Sequence, residues 1–260
     1  MAKRMLIFDF DDTLFSHAVK RVPQSAAEAL RRLVGNGELV VLATGRAPDS
    51  CAFIRGELPV SFEWMIALNG QLIYHNDELV YERFITLPSI REVYQIAREN
   101  GFACGGYFKG GSLVSVLNER VKAVWSEFGA PPPLVVPDFS ARFALYQAHL
   151  YITREEAERY FSRQLRDYVT NWSHPTLLNL ISKETGKAKG IAWLMDTLGV
   201  DRANTFAFGD GFNDLDMLRA VAHPVAMGNA SPELKCAAEF VTGAPEDDGI
   251  VRALAHYGLL

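Results

Sequence analysis

The sequence predicts an α/β fold in which a parallel sheet forms the core and an α+β domain is inserted into it. Short apolar runs, such as Met5–Phe8 and Leu39–Ala43, alternate with amphipathic helical patterns at both ends of the chain, as buried parallel strands and their connecting helices do. Between about Leu87 and Ser182, helical patterns mix with short strand-like pieces, which is typical of a separate α+β unit. The helical patterns are Ile90–Arg98 and Glu155–Arg166, and the strand-like pieces are Leu113–Leu117, His149–Thr153, Tyr168–Trp172 and Thr176–Ile181. We therefore expect a core at residues 1–86 and 183–260, and an inserted domain at 87–182.

Composition narrows the classes of protein that fit. The 260 residues are 49% hydrophobic, which is ample for a packed core. The net charge of −5, from 26 Lys and Arg against 31 Asp and Glu, is too mildly acidic to indicate a nucleic-acid or membrane-surface partner. We expect no nucleic acid and no membrane among the partners.

The cysteines and the N-terminal segment indicate the cellular compartment in which the protein acts. Cys51, Cys104 and Cys236 are an odd number without a C-x-x-C pair, which argues against a disulfide framework and a zinc site. We expect them to be buried thiols in a reducing environment. Asp9 interrupts the N-terminal apolar segment, and no run reaches the about 18 apolar residues that a membrane span needs. A soluble cytoplasmic protein is the expectation.

The first strand ends in a group of acids. Asp9, Asp11 and Asp12 lie at the carboxyl end of the run from Met5, the edge at which open α/β sheets bind ligands. Each ionised pair at 4 Å repels by ~4 kcal/mol at an effective dielectric of 20. A hard divalent ion such as Mg²⁺ would balance that charge. The alternative is that Asp11–Thr13 forms only a turn with a helix cap.

A helix and a second strand follow. An apolar stripe between Pro23 and Gly35 has helical spacing, and the strand Leu39–Ala43 ends in Thr44-Gly45. A right-handed βαβ unit places Thr44 at the same sheet edge as Asp9. The hydroxyl of Thr44 could donate to a phosphate oxygen, or it could cap the next helix.

The remaining strands complete this pattern. Asn69-Gly70 predicts a hairpin after the strand Trp64–Leu68. In the last third, a helical stripe begins near Gly190, and the strand Thr205–Phe208 runs into Gly209–Asp214. Two further strands are predicted at His223–Met227 and Phe240–Thr242, with a helix starting at Ser231-Pro232.

Two strands about two hundred residues apart thus end in acids. Asp9 and Asp11 follow the first strand, and Asp210 and Asp214 follow the strand in the last third. A phosphate and a nucleophilic carboxylate in one site would also need a positive side chain. Three lysines precede the helix at Ile191 and could supply it: Lys183, Lys187 and Lys189.

These segments resemble the four motifs of the haloacid dehalogenase superfamily. They are Asp9–Leu14, Ala43–Arg46, Lys189-Gly190 and Gly209–Asp214. The insertion between the second and third motifs resembles the Cof-type subfamily of phosphatases. The resemblance implies a Rossmann-like, doubly wound core with an inserted mixed α/β cap domain, which would set substrate specificity.

The resemblance also implies a role for each motif residue. Asp9 would be the nucleophile that forms an aspartyl-phosphate, and Asp11 the general acid and base. Thr44 and Gly45 would hold the phosphate oxygens, and Lys189, favoured over Lys187 by its Lys-Gly pairing, would neutralise charge. The implied metal site consists of Asp9, the backbone carbonyl of Asp11, Asp210 and Asp214, and Asn213 and Asp214 would support the phosphate and the metal shell.

The resemblance does not assign a role to Asp12, to Arg46 or to two stretches of the inserted domain. Position 12 is more often Gly in the family, and we expect Asp12 to face solvent. Arg46 could contact substrate or form a salt bridge with the core. The stretches Gly105–Gly111 and Asn171–His174 in the inserted domain could contact a leaving group, or could be a turn and ordinary packing.

The leading hypothesis is a Mg²⁺-dependent phosphatase for a small phosphorylated metabolite such as a sugar phosphate, acting as a monomer or homodimer. A phosphosugar mutase is the alternative enzyme. A phospho-acceptor signalling domain is the alternative of another class, although such a domain needs no inserted cap.

Overall fold

The computed structural model describes residues 3–47, 51–85 and 87–260, and for residues 51, 52 and 87–89 it describes the backbone alone. The chain divides into two compact units, Met1–Glu82 with Gly186–Leu260 and Arg83–Thr185. We call them the core unit and the inserted unit. The boundaries expected from the sequence were Leu87 and Lys183.

Strands and helices are numbered separately, each in chain order. The strands are β1 (Met5–Asp9), β2 (Leu39–Ala43), β3 (Trp64–Ala67), β4 (Leu72–His75), β5 (Glu78–Glu82), β6 (Cys104–Phe108), β7 (Gly111–Val114), β8 (Leu134–Val135), β9 (Gln147–Leu150), β10 (Tyr168–His174), β11 (Leu177–Ser182), β12 (Thr205–Gly209), β13 (His223–Ala226) and β14 (Phe240–Val241). The helices are α1 (Gln24–Gly35), α2 (Cys51–Glu57), α3 (Leu87–Glu99), α4 (Glu119–Glu127), α5 (Arg154–Phe161), α6 (Lys187–Leu198), α7 (Leu215–Ala220), α8 (Pro232–Ala237) and α9 (Gly249–His256).

The core unit is built on one largely parallel sheet. In the described part of the chain its eight strands lie in the order β14-β13-β12-β1-β2-β3-β4-β5. From β14 to β3 neighbouring strands are parallel, while β3–β4 and β4–β5 are antiparallel. The predicted α/β class is therefore confirmed, and the Asn69-Gly70 segment turns the chain between β3 and β4.

Helices cover both faces of this sheet, which explains why β1, β2 and β12 are buried along their whole length. On one face α1 and α9 pack against Leu6, Phe8 and Leu42. On the other, α6, α7 and α8 pack against Ile7, Val41 and Ala207. The core unit is thus a three-layer α/β/α sandwich.

The inserted unit has a sheet of its own. In the described residues its six strands lie in the order β10-β11-β9-β6-β7-β8, antiparallel except for β7–β8. Helices α3 and α5 pack on one face of the sheet. Helix α4 packs on strand residues of opposite parity, which point to the other face.

Several sequence expectations need correction in this unit. Strands β6 and β8 and helix α4 were not predicted. The strand expected at His149–Thr153 lies at Gln147–Leu150, because Thr153 instead forms a capping box with Glu156 at the start of α5.

The cysteines also differ from expectation. Cys104 is buried, but Cys236 is exposed, because it lies two positions from the buried Leu234 and points away from it. The side chain of Cys51 lies outside the described residues. Within the part of the chain that the structure describes, no helix has both the length and the apolar character required to cross a bilayer.

Candidate active site

The site lies where the strand order reverses. The chain runs outward from β1 through β2 and β3 on one side, and from β12 through β13 and β14 on the other. Between these halves β1 and β12 pair in parallel, with Phe8 opposite Phe208. Asp9 ends β1 and Asp210 follows β12. Both acids therefore lie at the carboxyl edge beside the switch point, where open α/β sheets form their ligand clefts.

Three carboxylates converge at this edge. Asp9, Asp210 and Asp214 each offer an oxygen, and these oxygens lie within 4.8 Å of one another. Asp214 is fully buried at the end of a single 3₁₀ turn, Phe212–Asp214. Its Oδ2 accepts hydrogen bonds from the N–H groups of Asp210 and Gly211, at 3.0 and 2.9 Å. The loop after β12 is therefore folded around the Asp214 carboxylate.

One buried lysine neutralises part of this charge. Lys187 Nζ lies 2.5 Å from Asp9 Oδ1 and 2.6 Å from Asp214 Oδ1, and Lys187 is fully buried. The expected lysine, Lys189, is exposed. Positions 187 and 189 differ by about 200° around a helix, so they point to opposite sides of α6. Lys187, and not the expected Lys189, therefore contacts the carboxylates in this structure.

The remaining charge is reflected in the pKa values. Burial and the charge of Asp214 raise the pKa of Asp9 well above its usual range, which Lys187 only partly counters. Burial also raises the pKa of Asp210 to about 7, although a hydrogen bond from Thr13 opposes the change. For Lys187, burial lowers the pKa, but Asp214 and Asp9 outweigh it and the net shift is upward. The site holds more negative charge than its lysine balances.

The donor set fits a hard divalent cation. All three groups are carboxylates, the oxygen ligands that Mg²⁺ prefers, and an added cation would relieve the repulsion that raises the pKa values of Asp9 and Asp210. Asp9 and Asp210 are the better ligand candidates, because the oxygens of Asp214 already accept three hydrogen bonds.

Two residues that were not identified from the sequence orient Asp210. Thr13 Oγ1 donates to Asp210 Oδ1 at 2.8 Å. Asn229 Nδ2 donates to the carbonyl of Asp12 at 2.9 Å and lies 3.3 Å from Asp210 Oδ2. Asn229 follows β13, a parallel neighbour of β12. The rule that drew attention to Asp9 could therefore have indicated Asn229 as well.

The second motif lies against the side-chain amides of Asn69 and Asn213. Asp9 pairs with Ala43, so Thr44 and Gly45 follow at the same edge. Thr44 is buried, and its hydroxyl accepts from the Arg46 N–H at 3.1 Å, which leaves its own proton to donate. A Cβ at Gly45 would lie 3.0 Å from Asn69 Oδ1, and Asn213 Nδ2 donates to that oxygen at 3.0 Å.

Asn69, which the sequence predicts only as a turn residue, also lies in this group. It is buried, with φ of 53° in the left-handed region, where Asn is tolerated better than most residues. Its position after β3, which pairs in parallel with β2, is again the signal that could have identified it.

Asp11 is held apart from the carboxylate cluster. Arg46 binds it with two hydrogen bonds, of 2.8 and 2.6 Å, and His17 Nε2 lies 2.9 Å from Asp11 Oδ1. Burial alone would raise the pKa of Asp11, but Arg46 and His17 outweigh it and lower the pKa. Arg46 therefore forms a salt bridge, but its partner is Asp11 of the site and not a residue of the core.

Asp12 has a structural role at the turn. Its φ is 53°, a region that favours glycine, and its Oδ1 accepts from the His17 N–H at 3.0 Å. The carboxylate thus stabilises the turn in place of the glycine that is usual in the family, and it does not simply face solvent.

The two stretches of the inserted unit that were singled out form strands. Gly105–Gly111 is the β6–β7 hairpin, and Asn171–His174 lies in β10. Their contact with a leaving group stays a prediction.

Comparison with known proteins identifies the family. A model of the haloacid dehalogenase-like hydrolases matches residues 6–254. The putative phosphatase YkrA of Bacillus subtilis is 30% identical over 266 residues, covering 100% of both chains. Another B. subtilis protein, 5-amino-6-(5-phospho-D-ribitylamino)uracil phosphatase, is 24% identical, covering 98% of this chain and 96% of its own.

Solved structures agree with this assignment. A phosphatase of the haloalkanoate enzyme superfamily from Bacteroides thetaiotaomicron is 31% identical with a TM-score of 0.87, covering 100% of this chain and 96% of that one. A sugar phosphatase of subclass IIB is 28% identical with a TM-score of 0.83, covering 99% and 100%. The chain therefore belongs to the haloacid dehalogenase-like hydrolases, in the Cof-type group that its motifs predicted, and is a phosphoric monoester hydrolase.

Proposed function

We propose that this enzyme is a Mg²⁺-dependent phosphatase that hydrolyses small phosphorylated metabolites, sugar phosphates among them, through an aspartyl-phosphate at Asp9. The observation that carries the proposal is the group of three carboxylates with one buried lysine at the switch point of the sheet. Asp9 and Asp210 would hold the ion, with Asp214 beside them. When bound, Mg²⁺ would neutralise negative charge on the phosphate and on the carboxylates.

Asp9 carries the covalent step. A carboxylate oxygen of Asp9 attacks phosphorus, the bond from phosphorus to the leaving-group oxygen breaks, and the phosphoryl group becomes an acyl phosphate. The oxygen of a water molecule then attacks the same phosphorus, which releases inorganic phosphate and restores the carboxylate. Lys187, 2.5 Å from Asp9 Oδ1, stabilises negative charge in both displacements.

Asp11 is proposed as the proton carrier. It would protonate the leaving alkoxide in the first displacement and take a proton from water in the second. Its carboxylate is paired with Arg46 and His17, a state without a proton to give. The pair with Arg46 must therefore open before Asp11 can act as an acid.

The phosphate oxygens are assigned to the second and fourth motifs. The Thr44 hydroxyl can donate one hydrogen bond. Gly45 and Asn213 both lie against the side-chain oxygen of Asn69, so the two motifs meet there. Neutral donors at such a position hold the anion and add no charge to the site.

The substrate class is supported by the relatives. The names of two relatives describe a sugar phosphatase and a phosphatase of a ribityl-bearing nucleobase, and both substrates are small and rich in hydroxyl groups. The inserted unit would act as the cap that selects them. The free thiols of Cys104 and Cys236 fit a reducing, cytoplasmic setting.

Phosphate release tests this proposal. Purified protein is assayed with phenyl phosphate and a panel of sugar phosphates, in MgCl₂ and in EDTA, beside Asp9→Asn and the control Asp196→Asn on the exposed side of α6. We expect Mg²⁺-dependent turnover that Asp9→Asn lowers by at least about 1,000-fold and that Asp196→Asn retains. Equal turnover in EDTA, or full activity of Asp9→Asn, would overturn the proposal. Isomerised phosphosugar would indicate the mutase instead.

A further inference from the structure

The sheet of the inserted unit ends on one side in a long strand. β10 (Tyr168–His174) has seven residues and is the longest strand in the described part of the chain. It lies at the end of the sheet order and pairs with β11 along one side. On its other side, alternate residues point their N–H and C=O groups outward, and no described strand pairs with them there.

Edge strands usually carry features that prevent pairing with another chain, such as short length, charged side chains, proline or a bulge. The other sheet edges in the described residues have such features. β14 and β8 have two residues each, and Pro131–Pro133 directly precede β8. β5 has a glutamate at each end, and its pairing with β4 is irregular between Ile73 and Tyr74.

β10 lacks these features over most of its length. From Tyr168 to His174 it contains no Lys, Arg, Asp, Glu or Pro. Its pairing with β11 is regular from Tyr168 to Trp172, and a register shift follows only between Trp172 and His174. Val169, Thr170 and Asn171 are exposed. The stretch Tyr168–Trp172, which we call the open edge, is therefore a surface to which another strand can be added.

The open edge is complementary to a second copy of itself. Opposed residues of two antiparallel strands point to the same face, so a two-fold axis perpendicular to the sheet places one residue opposite its own copy. With Thr170 on the axis, Val169 lies opposite Asn171 and Tyr168 opposite Trp172, which pairs the whole open edge. Thr–Thr and aromatic pairs stabilise antiparallel strands, and no charged side chain of the open edge meets a like charge.

A groove beside the open edge would add to this contact. It has a volume of about 350 Å³, and its lining includes Ala157 of α5, Leu165, and Thr170 and Trp172 of β10. The Trp172 ring is partly buried against the apolar cluster of α3 and α5, and the Arg154 guanidinium lies 4.9 Å from its centre. Pairing of two open edges brings the two grooves side by side, so that the exposed parts of both rings are buried.

We propose that two copies of this chain associate through the open edge, as an antiparallel β10–β10 pair with the two-fold axis at Thr170. The two six-stranded sheets then form one continuous sheet. A second copy is a better occupant than an unrelated peptide, because it presents an edge of the same length, without charge, whose side chains pair favourably with their own copies. Of monomer and homodimer, the structure thus favours the homodimer.

The mass of the protein in solution is the first test. Gel filtration with light scattering, over a series of protein concentrations, should give twice the mass of one chain. Thr170→Lys places two ammonium groups opposite each other on the axis and should raise the dissociation constant of the dimer by about tenfold or more. The control Thr197→Lys, the same change at an exposed position of α6, should leave that constant unchanged. Circular dichroism shows whether both variants fold.

Cysteine cross-linking tests the register. Thr170→Cys should form an intermolecular disulfide under mild oxidation, because directly opposed Cα atoms lie about 4.5–5.5 Å apart, within the range of a disulfide. Val169→Cys alone should not, since its own copy lies about 8 Å away, but a mixture of Val169→Cys and Asn171→Cys should. Cys236 is exposed, so it is replaced by Ser in all these variants, together with Cys51.

Each outcome supports or contradicts the dimer. A monomer at every concentration would overturn the inference, and so would a dimer that Thr170→Lys retains, because its contact would then lie elsewhere. If Thr170→Lys does not fold, the cysteine variants decide, since the absence of both expected disulfides contradicts the β10–β10 pair. These measurements do not involve phosphate release, so they test the dimer separately from the proposed reaction.

Discussion

At the scale of single residues, the site depends on one buried lysine that forms ion pairs with two carboxylates. Lys187 contacts Asp9 and Asp214 at once, and it has no exposure to solvent. Removing one partner from such a group leaves uncompensated charge in the interior, which costs far more than the pair itself contributes. The lysine is therefore expected to matter for both stability and catalysis.

Substituting this lysine tests that expectation. Lys187→Met should lower kcat by at least about 100-fold, because a charge stabiliser is lost. It should also lower the free energy of unfolding near neutral pH by about 3–5 kcal/mol, because Asp9 and Asp214 lose the buried positive charge that they share. Phenyl phosphate turnover and urea unfolding measure the two effects.

Lys189→Met is the matched control. This exposed residue is two positions further along α6, and its replacement should change the free energy of unfolding by no more than about 0.5 kcal/mol. If Lys189→Met abolished activity while Lys187→Met retained it, our placement of the charge would be wrong.

The acids of the site were more predictable from the sequence than the lysine and the amides that surround them. Asp9 and Asp210 were found because each follows a strongly apolar run. The sequence prediction favoured Lys189 because of its Lys-Gly pairing. Lys187, however, lies four residues before the buried Ile191, and this spacing puts it on the buried side of the helix. Asn69 and Asn229 were missed because an amide after a strand is also typical of a turn.

At the scale of elements, the β3–β4 turn sets where α6 begins. Gly70 has φ of 89°, and a Cβ there would lie 2.0 Å from the carbonyl oxygen of Gly186. Gly186 directly precedes Lys187, the first residue of α6. The close approach of two backbones thus places the lysine against the carboxylates.

A methyl group at this turn tests the packing. Gly70→Ala should lower the free energy of unfolding by about 2 kcal/mol or more, since it combines an unfavourable φ with a backbone clash. The control Gly35→Ala, at the end of α1, meets nothing within 4 Å and should be neutral or stabilising by up to about 1 kcal/mol. Chemical denaturation measures both, and equal stabilities for the two variants would show that the turn does not constrain α6.

The core elements were more predictable than those of the inserted unit for a physical reason. β1, β2 and β12 are buried on both faces, so their apolar runs are continuous. β6 begins with Cys104-Gly105-Gly106, and glycine weakens any strand pattern. Helix α4 buries only Val121, Val124 and Trp125 of its nine residues, which is too narrow a stripe to stand out.

At the scale of the whole molecule, the site joins segments from both sides of the insertion. Asp9 comes from the first part of the core unit, and Asp210, Asp214 and Lys187 come from the second. The three carboxylates repel one another while Lys187 offsets only part of their charge. Binding of a cation should therefore stabilise the fold of the core unit.

The pH dependence of this stabilisation follows from Asp210. Its pKa, raised to about 7, means that between about pH 4 and 7 the folded chain keeps a proton that the unfolded chain has lost. Without metal, this group makes stability fall as pH rises through that window. Mg²⁺ competes with the proton, so the Tm increase on adding MgCl₂ should be small near pH 5 and larger near pH 8.

Thermal unfolding in MgCl₂ and in EDTA across this range measures the effect. Asp210→Asn should remove most of the Mg²⁺-dependent increase, whereas Asp196→Asn should keep it. An increase that is independent of pH would contradict the role of Asp210.

The most direct test of the central claim is a crystal structure with Mg²⁺ and beryllium trifluoride, which mimics a phosphoryl group on a carboxylate. We expect beryllium bonded to an oxygen of Asp9, with Mg²⁺ bound by Asp9 and Asp210 and Lys187 Nζ contacting a fluoride. Beryllium on another residue, or Mg²⁺ bound away from Asp9 and Asp210, would contradict that claim.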